Sequence, residues 1–281
     1  MRALAAALDL RPTKQRGQNF VIDANTVRRI VRASGVGDDD CVLEVGPGLG
    51  SLTLGLLEQG SAVVAVELDE RLADALPGTL RSFGGGRAGS ASVVQADALT
   101  IGRDEVSSWP VLPTAMVANL PYNVSVPVLL HLLQLLPSIR RGLVMVQAEV
   151  ADRLAAAPGS RTYGIPSVKA AWYADVRPAG RVGRTVFWPA PNVDSGLVSW
   201  VRRDPPATTA TREQVFEVVD AAFAQRRKML RSALAGLVGS ASAAAAVLRS
   251  AGVPDDARGE QLDVGAFAAV AQALHGPAPL G

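Results

Sequence analysis

The feature that most limits what this chain can fold into is the run Cys41-Val42-Leu43-Glu44-Val45-Gly46-Pro47-Gly48-Leu49-Gly50-Ser51-Leu52-Thr53. It reads as a buried strand, a glycine-rich turn, and a helix reaching about Gln59 with Gly60 just beyond it. Glycine takes positive φ without strain and lets a backbone approach a ligand closely. A second apolar run, Ala62 to Val66, ends in Glu67, 21 residues beyond Gly46. Strand, glycine turn, helix, strand and acid make a parallel βαβ unit, with the acid placed to bind the two hydroxyls of a ribose. Ser51 stands where a dinucleotide fingerprint wants its third glycine, and no Gly-Lys-Ser/Thr ending follows to cradle a phosphate. The spacing Glu44-x-Gly46-x-Gly48-x-Gly50 is instead that of S-adenosylmethionine (SAM) sites.

Two further strands extend the pattern. Val93-Val94-Gln95-Ala96-Asp97 ends in an acid that could accept from the amino group of an adenine; a solvent-facing turn aspartate is the plain alternative. Ala115 to Ala118 reads as a buried strand that delivers Asn119-Leu120-Pro121-Tyr122-Asn123. Pro121, which lacks an amide hydrogen, ends strand pairing there. The Asn119 side-chain oxygen and the Leu120 carbonyl could each accept one hydrogen of an exocyclic amine, and Tyr122 would offer a face to the ring carrying it. An ordinary strand-to-helix turn uses the same residue types. Ligating residues at the carboxyl ends of successive strands separated by helices define a doubly wound α/β sheet.

The remaining segments fill in around this frame. Residues 11 to 20 read as a flexible basic arm. Asp23 caps a helix with Val27, Ile30 and Val31 on one face, ended by Gly35 and Gly37. Residues 83 to 89 read as a surface connection. Val124 to Leu136 is an apolar helix in which His131 is packed rather than catalytic, and Leu143 to Gln147 is a fifth strand. Val168 to Val176 and Gly196 to Val201 look like a final antiparallel pair. Between them lies a stiff loop in which Phe187 is the candidate ring opposite Tyr122, with Trp188 a cap on the core. Pro205-Pro206 marks a domain boundary. Thr211-x-x-Gln214 is a capping box opening a long helix that carries Arg226, Arg227, Lys228 and Arg231, either a solvated face or a grip on phosphates. Two more helices, about 242 to 250 and 264 to 274, complete a small helical domain.

Composition narrows the chemistry. At 281 residues and 48% hydrophobic content, the chain has room for one large domain and a smaller one. No run of about 18 apolar residues would span a membrane. Cys41 is the only cysteine, and His131 and His275 are the only histidines. This argues against an internal disulfide, a zinc site and a His-activated nucleophile, and a cytosolic protein is expected. Arginine outnumbers lysine 25 to three at a net charge of +2, which permits a nucleic-acid partner without requiring one.

Six motifs together resemble the KsgA/RsmA family of small-subunit ribosomal RNA adenine N6,N6-dimethyltransferases. They are Gly17-Gln18-Asn19-Phe20, Glu44-Val45-Gly46-Pro47-Gly48, Asn119-Leu120-Pro121-Tyr122-Asn123, Gln147-x-Glu149-Val150-x-x-Arg153-Leu154, Pro191-x-Val193-Asp194-Ser195 and Phe223-x-Gln225-Arg226-Arg227-Lys228. Val21 departs from the family's usual Leu, and Arg16 from an aromatic. The resemblance implies a Rossmann-like SAM-dependent methyltransferase fold with a mostly parallel seven-stranded sheet, plus a small all-α C-terminal domain. The expected division is an arm at 1–22, a methyltransferase domain at 23–204 and an RNA-binding helical domain at 205–281. It further implies SAM contacts at Asn19, Val21, Gly46, Gly48, Glu67, Asp97 and Asn119. The target adenosine would meet Asn119, Leu120, Pro121, Tyr122 and Phe187, and Arg226, Arg227, Lys228 and Arg231 would contact RNA. The implied partner is 16S rRNA in the 30S subunit or an assembly intermediate of it, met by a monomer. The implied reaction dimethylates two adjacent adenosines near the 3′ end of that RNA. A large-subunit sibling of the Erm type and a binding protein without catalysis are the competing readings. An NAD-dependent oxidoreductase is disfavoured by Ser51.

Overall fold

The computed structural model describes residues 19–226 and 228–276. Its first half runs β1 (Phe20–Val21), α1 (Ala24–Ser34), β2 (Cys41–Val45), α2 (Ser51–Gln59), β3 (Ala62–Glu67), α3 (Glu70–Phe83), β4 (Ala91–Gln95), α4 (Arg103–Ser107), β5 (Ala115–Asn119) and α5 (Ser125–Leu135). It continues with β6 (Arg141–Gln147), α6 (Ala148–Leu154), α7 (Ile165–Tyr173), β7 (Ala174–Val182), β8 (Phe187–Trp188) and β9 (Ser195–Arg202). Five helices follow: α8 (Arg212–Ala224), α9 (Leu230–Ala233), α10 (Ala235–Val238), α11 (Ala241–Ser250) and α12 (Val264–His275).

Seven strands form one sheet in the order β4-β3-β2-β5-β6-β9-β7, while β1 and β8 pair in a separate antiparallel ribbon. Strands β4 to β6 of this order are parallel, and β9 runs antiparallel to β6. The chain leaves β2 toward β3 and β4, then returns to place β5 on the other side of β2. That reversal opens a crevice at the carboxyl ends of β2 and β5, where doubly wound sheets bind ligands. β2 is buried along its whole length, and β3 and β5 nearly so. Both sheet faces are therefore covered, which explains why these strands read as continuous apolar runs rather than alternations.

The first helix forms as its sequence dictates. The Asp23 carboxylate accepts from the Thr26 amide at 2.9 Å and buries Val27, Ile30 and Val31 beneath the cap. No helix among the described residues is long and apolar enough to cross a membrane.

The chain divides into two compact units. The first holds the described residues up to Asp152 together with Val176–Arg202; the second holds Arg153–Asp175 together with the described residues from Arg203 onward. The expected uninterrupted domain at 23–204 is thus split, because residues 153–175 pack with the C-terminal helices. Within the second unit the Tyr163 hydroxyl donates to the Leu262 carbonyl at 2.7 Å, and the Trp172 ring meets the edge of Phe216.

Three other expectations are corrected. Residues 168–173 are helical, not strand. Ile165 and Pro166 open α7, where a proline's missing amide hydrogen costs nothing, and the apolar residues that follow lack a period-two alternation. β7 starts only at Ala174, and β9 lies between it and β6. The helix opened by the Thr211 capping box stops at Ala224, so Arg226 and Lys228 lie in a turn and Arg231 on α9. Gln225 leaves helical geometry at φ −129°, ψ 56°, and the Leu230 amide is drawn away to the Ala257 carbonyl at 2.8 Å. Residues 1–18 of the basic arm, with Arg16, Gly17 and Gln18, lie outside the described residues. The end of the arm is not free: Phe20 and Val21 pair with Trp188 and Phe187.

Candidate active site

The glycine turn after β2 is the floor of a cavity of about 600 Å³ in the first unit. Gly46, Gly48 and Gly50 have φ of 67°, 56° and 86°, a region in which side chains other than glycine are strained. Gly48 also lies directly under the Phe20 ring, and a Cβ there would stand 2.6 Å from a ring carbon. At Gly46 a Cβ would come within 3.9 Å of the Asn119 carbonyl oxygen and 4.0 Å of Pro121, so the two turns, from β2 and β5, meet at this point.

Glu67, Asp97 and Asn119 reach the same cavity from the ends of β3, β4 and β5. Both Glu67 carboxylate oxygens accept backbone amides at 3.0 Å, one from Gly48 and one from Asp69. Burial nonetheless pushes the Glu67 carboxyl above its ordinary range. Asp97 accepts from the Leu99 amide at 2.9 Å, which fixes its side chain at the cavity wall.

Among the described residues, Asn119 is oriented by one side-chain hydrogen bond, in which its Nδ2 donates to the Asn19 carbonyl at 2.9 Å. That bond assigns the carboxamide, leaving Oδ1 as the acceptor. The Leu120 amide donates to the Met145 carbonyl at 3.0 Å, and Pro121 lines the cavity. Tyr122 is half-buried, with its hydroxyl 2.7 Å from the Ser195 hydroxyl.

Of the other expected residues, Val21 lines the cavity and Phe187 does not. Phe187 is 2% exposed and packs in the core cluster with Val21, Val27 and Val182. Successive residues of a strand point to opposite faces, so with Phe187 inward it is Trp188 that turns outward, stacking on Phe20 with ring centroids 6.3 Å apart. The ring facing Tyr122 expected from the sequence is therefore a core residue. Arg226 is engaged within its own unit, donating to Glu260 at 3.1 Å and to the Arg161 carbonyl at 2.6 Å. Lys228 is exposed and Arg231 half-buried, while Arg227 lies outside the described residues.

One residue of the cavity, Glu44, carries no role that the glycine spacing alone assigns. Glu44 is 1% exposed, yet it lines the cavity, and among the described residues neither its Oε2 nor the Ser51 hydroxyl, which lines the same cavity, has a hydrogen-bond partner. The signal was a lone acid in an otherwise apolar strand. Burial, with the Glu67 charge adding to it, pushes the Glu44 carboxyl up to about 8 from its ordinary 4.5. Between those values the folded protein holds a proton that the unfolded chain releases, so stability is present at low pH and lost as pH rises through the window. Without ligand, wild-type stability should fall between pH 5 and 8 by at most about 1.4 kcal/mol per unit from this group. Glu44→Gln should remove that slope in denaturant melts across the range; an unchanged slope would show that Glu44 is ionised when folded.

Comparison with known proteins adds the family. Residues 10–275 match the family model described as ribosomal RNA adenine dimethylase. Relatives described as ribosomal RNA small subunit methyltransferase A include one from Arthrobacter sp. (strain FB24), 62% identical over 97% of this chain and 91% of the relative. Another, from Streptomyces avermitilis, is 65% identical over the same shares. Among solved structures, a dimethyladenosine transferase from Plasmodium falciparum superposes with a TM-score of 0.73 at 21% identity, covering 89% of this chain and 95% of that one. The 23S rRNA methyltransferase ErmE superposes with a TM-score of 0.65 at 26% identity, covering 91% and 99%. On the span of the family match and the identity to these relatives, the chain belongs to the ribosomal RNA adenine dimethylase family.

Proposed function

We propose that this protein transfers methyl groups from SAM to N6 of adenosines in small-subunit ribosomal RNA. The finer target is two adjacent adenosines near the 3′ end of 16S rRNA, met by a monomer in the 30S subunit or its precursor. The cofactor is SAM, and the residues lining the cavity fit its chemistry. Glu67 offers carboxylate oxygens to a ribose diol, Asp97 an acceptor to an adenine amine, and Glu44 and Ser51 unpartnered polar atoms to the amino acid end. Asn19, Val21, Gly46 and Gly48 would supply the backbone wall.

The observation that carries the reading is the fixed Asn119 carboxamide at the rim of this cavity. SAM, when bound, supplies an electrophilic methyl. An adenosine N6 is a poor nucleophile because its lone pair is delocalised into the ring. Asn119 Oδ1 and the Leu120 carbonyl would accept its two hydrogens, favouring a more tetrahedral nitrogen with its lone pair turned toward the cavity. Tyr122, with Pro121 beside it, would support the extruded base by stacking. The surplus proton on the methylated nitrogen would leave to water. Rate then comes from positioning and fixed dipoles rather than from a titrating base. A monomethylated amine keeps one hydrogen to donate, so the same acceptors serve the second transfer. Phe187 supports the strand from the core instead of stacking. Lys228 and Arg231, with Arg227, would contact phosphates, while Arg226 holds the turn that presents them.

The test is labelled SAM with 30S and 50S particles from cells lacking the modification, followed by nucleoside analysis. Dimethyladenosine should appear in the small subunit. Product confined to the large subunit would favour the activity in ErmE's description over this one.

A further inference from the structure

Ser195 is wholly buried and has no place in the reaction described above, yet among the described residues its hydroxyl makes the one hydrogen bond found for the Tyr122 side chain. We propose that Ser195 is a positioning residue, which locks the Tyr122 ring at the angle the target base needs through the 2.7 Å bond between the two hydroxyls. The proposal rests on the reading of Tyr122 as the stacking platform.

The two partners differ in rigidity. Tyr122 sits in the turn between β5 and α5, whereas Ser195 is the first residue of β9, opposite Gln147 of β6 in an antiparallel ladder. The ladder is extended by the Ala148 amide, which donates to the Asp194 carbonyl at 2.9 Å. The turn is also tied to β6 by its backbone, from the Leu120 amide to the Met145 carbonyl. Two tethers to the same pair of strands, one before Tyr122 and one at the tip of its side chain, fix both the backbone and the ring.

The hydroxyl has no role in stacking itself: phenylalanine offers an equal face. It points into the protein, where burial raises its pKa and keeps it a neutral donor or acceptor. A tyrosine at this position therefore makes sense as a platform with a handle, and Ser195 is what holds the handle. Removing either hydroxyl leaves the face intact but releases the ring about χ1 and χ2.

Three variants test this in steady-state kinetics with SAM and 30S substrate each varied up to saturation. Tyr122→Phe and Ser195→Ala should each lower kcat by about tenfold, the equivalent of one net hydrogen bond, with KM for SAM and for 30S unchanged. Combining them should lower kcat no further than either alone, since both remove the same bond. Additive losses, or wild-type kcat in Tyr122→Phe, would overturn the proposal; Tyr122→Phe keeps it testable even where Ser195→Ala does not fold. Tyr122→Ala separates the proposal from its premise. Full activity in that variant would sink the stacking role itself, whereas inactivity there beside wild-type Tyr122→Phe would sink only the role of Ser195.

Discussion

Asn119→Ala is expected to lower kcat for adenosine methylation by about 10²–10³-fold while leaving 30S binding nearly unchanged, the scale seen when one fixed dipole at a reacting centre is removed. The variant would delete the acceptor proposed for the target amine, and it removes the donor that the Asn19 carbonyl uses. Asn119→Asp separates those two effects. It keeps acceptor oxygens but turns one of them on the Asn19 carbonyl, so it should also be slow, through misorientation rather than loss of the acceptor. Single-turnover methylation with nucleoside analysis measures both. A variant of either kind that dimethylates at the wild-type rate would overturn the role proposed for Asn119.

The second large effect concerns the cofactor. Glu67→Ala should weaken SAM binding about 100-fold or more, because hydrogen bonds to a charged group are worth roughly 1.5–3 kcal/mol each and a ribose diol would make two. Glu67→Gln should rescue little. Both carboxylate oxygens accept from backbone amides, and an amide nitrogen in either place would oppose Gly48 or Asp69 donor to donor. Calorimetry with SAM reads the affinity directly, and an unaltered dissociation constant for Glu67→Ala would move the cofactor elsewhere.

How much of this was legible in the sequence depended on whether local chemistry decided the outcome. The strands ending near Gly46, Glu67, Asp97 and Asn119 were readable because buried parallel strands leave apolar runs and glycine turns leave spacings. The partner of each site residue was not readable. Nothing local in Asn119 indicates that its amide meets Asn19, a hundred residues away, or that Tyr122 meets Ser195. Phe187 and Trp188 show the limit most clearly. Two adjacent aromatics in a strand must face opposite ways, but only the pairing with Phe20 and Val21 settles which of them turns inward. Residues 165–173 failed for a different reason: a short apolar run suits a buried helix as well as a strand, and its packing partners lie beyond residue 203.

That last fact reaches past the fold into biosynthesis. During translation from the amino end, α7 emerges with Val168, Trp172 and Tyr173 before any of the C-terminal helices exist. Phe216, the ring that meets both Trp172 and Tyr173, is made only after β7, β8 and β9. The nascent chain thus carries both rings without Phe216 while its sheet is being finished. A truncation at the Pro205-Pro206 linker would make that interim state permanent, so a clean excision of the helical unit has to remove residues 153–175 as well.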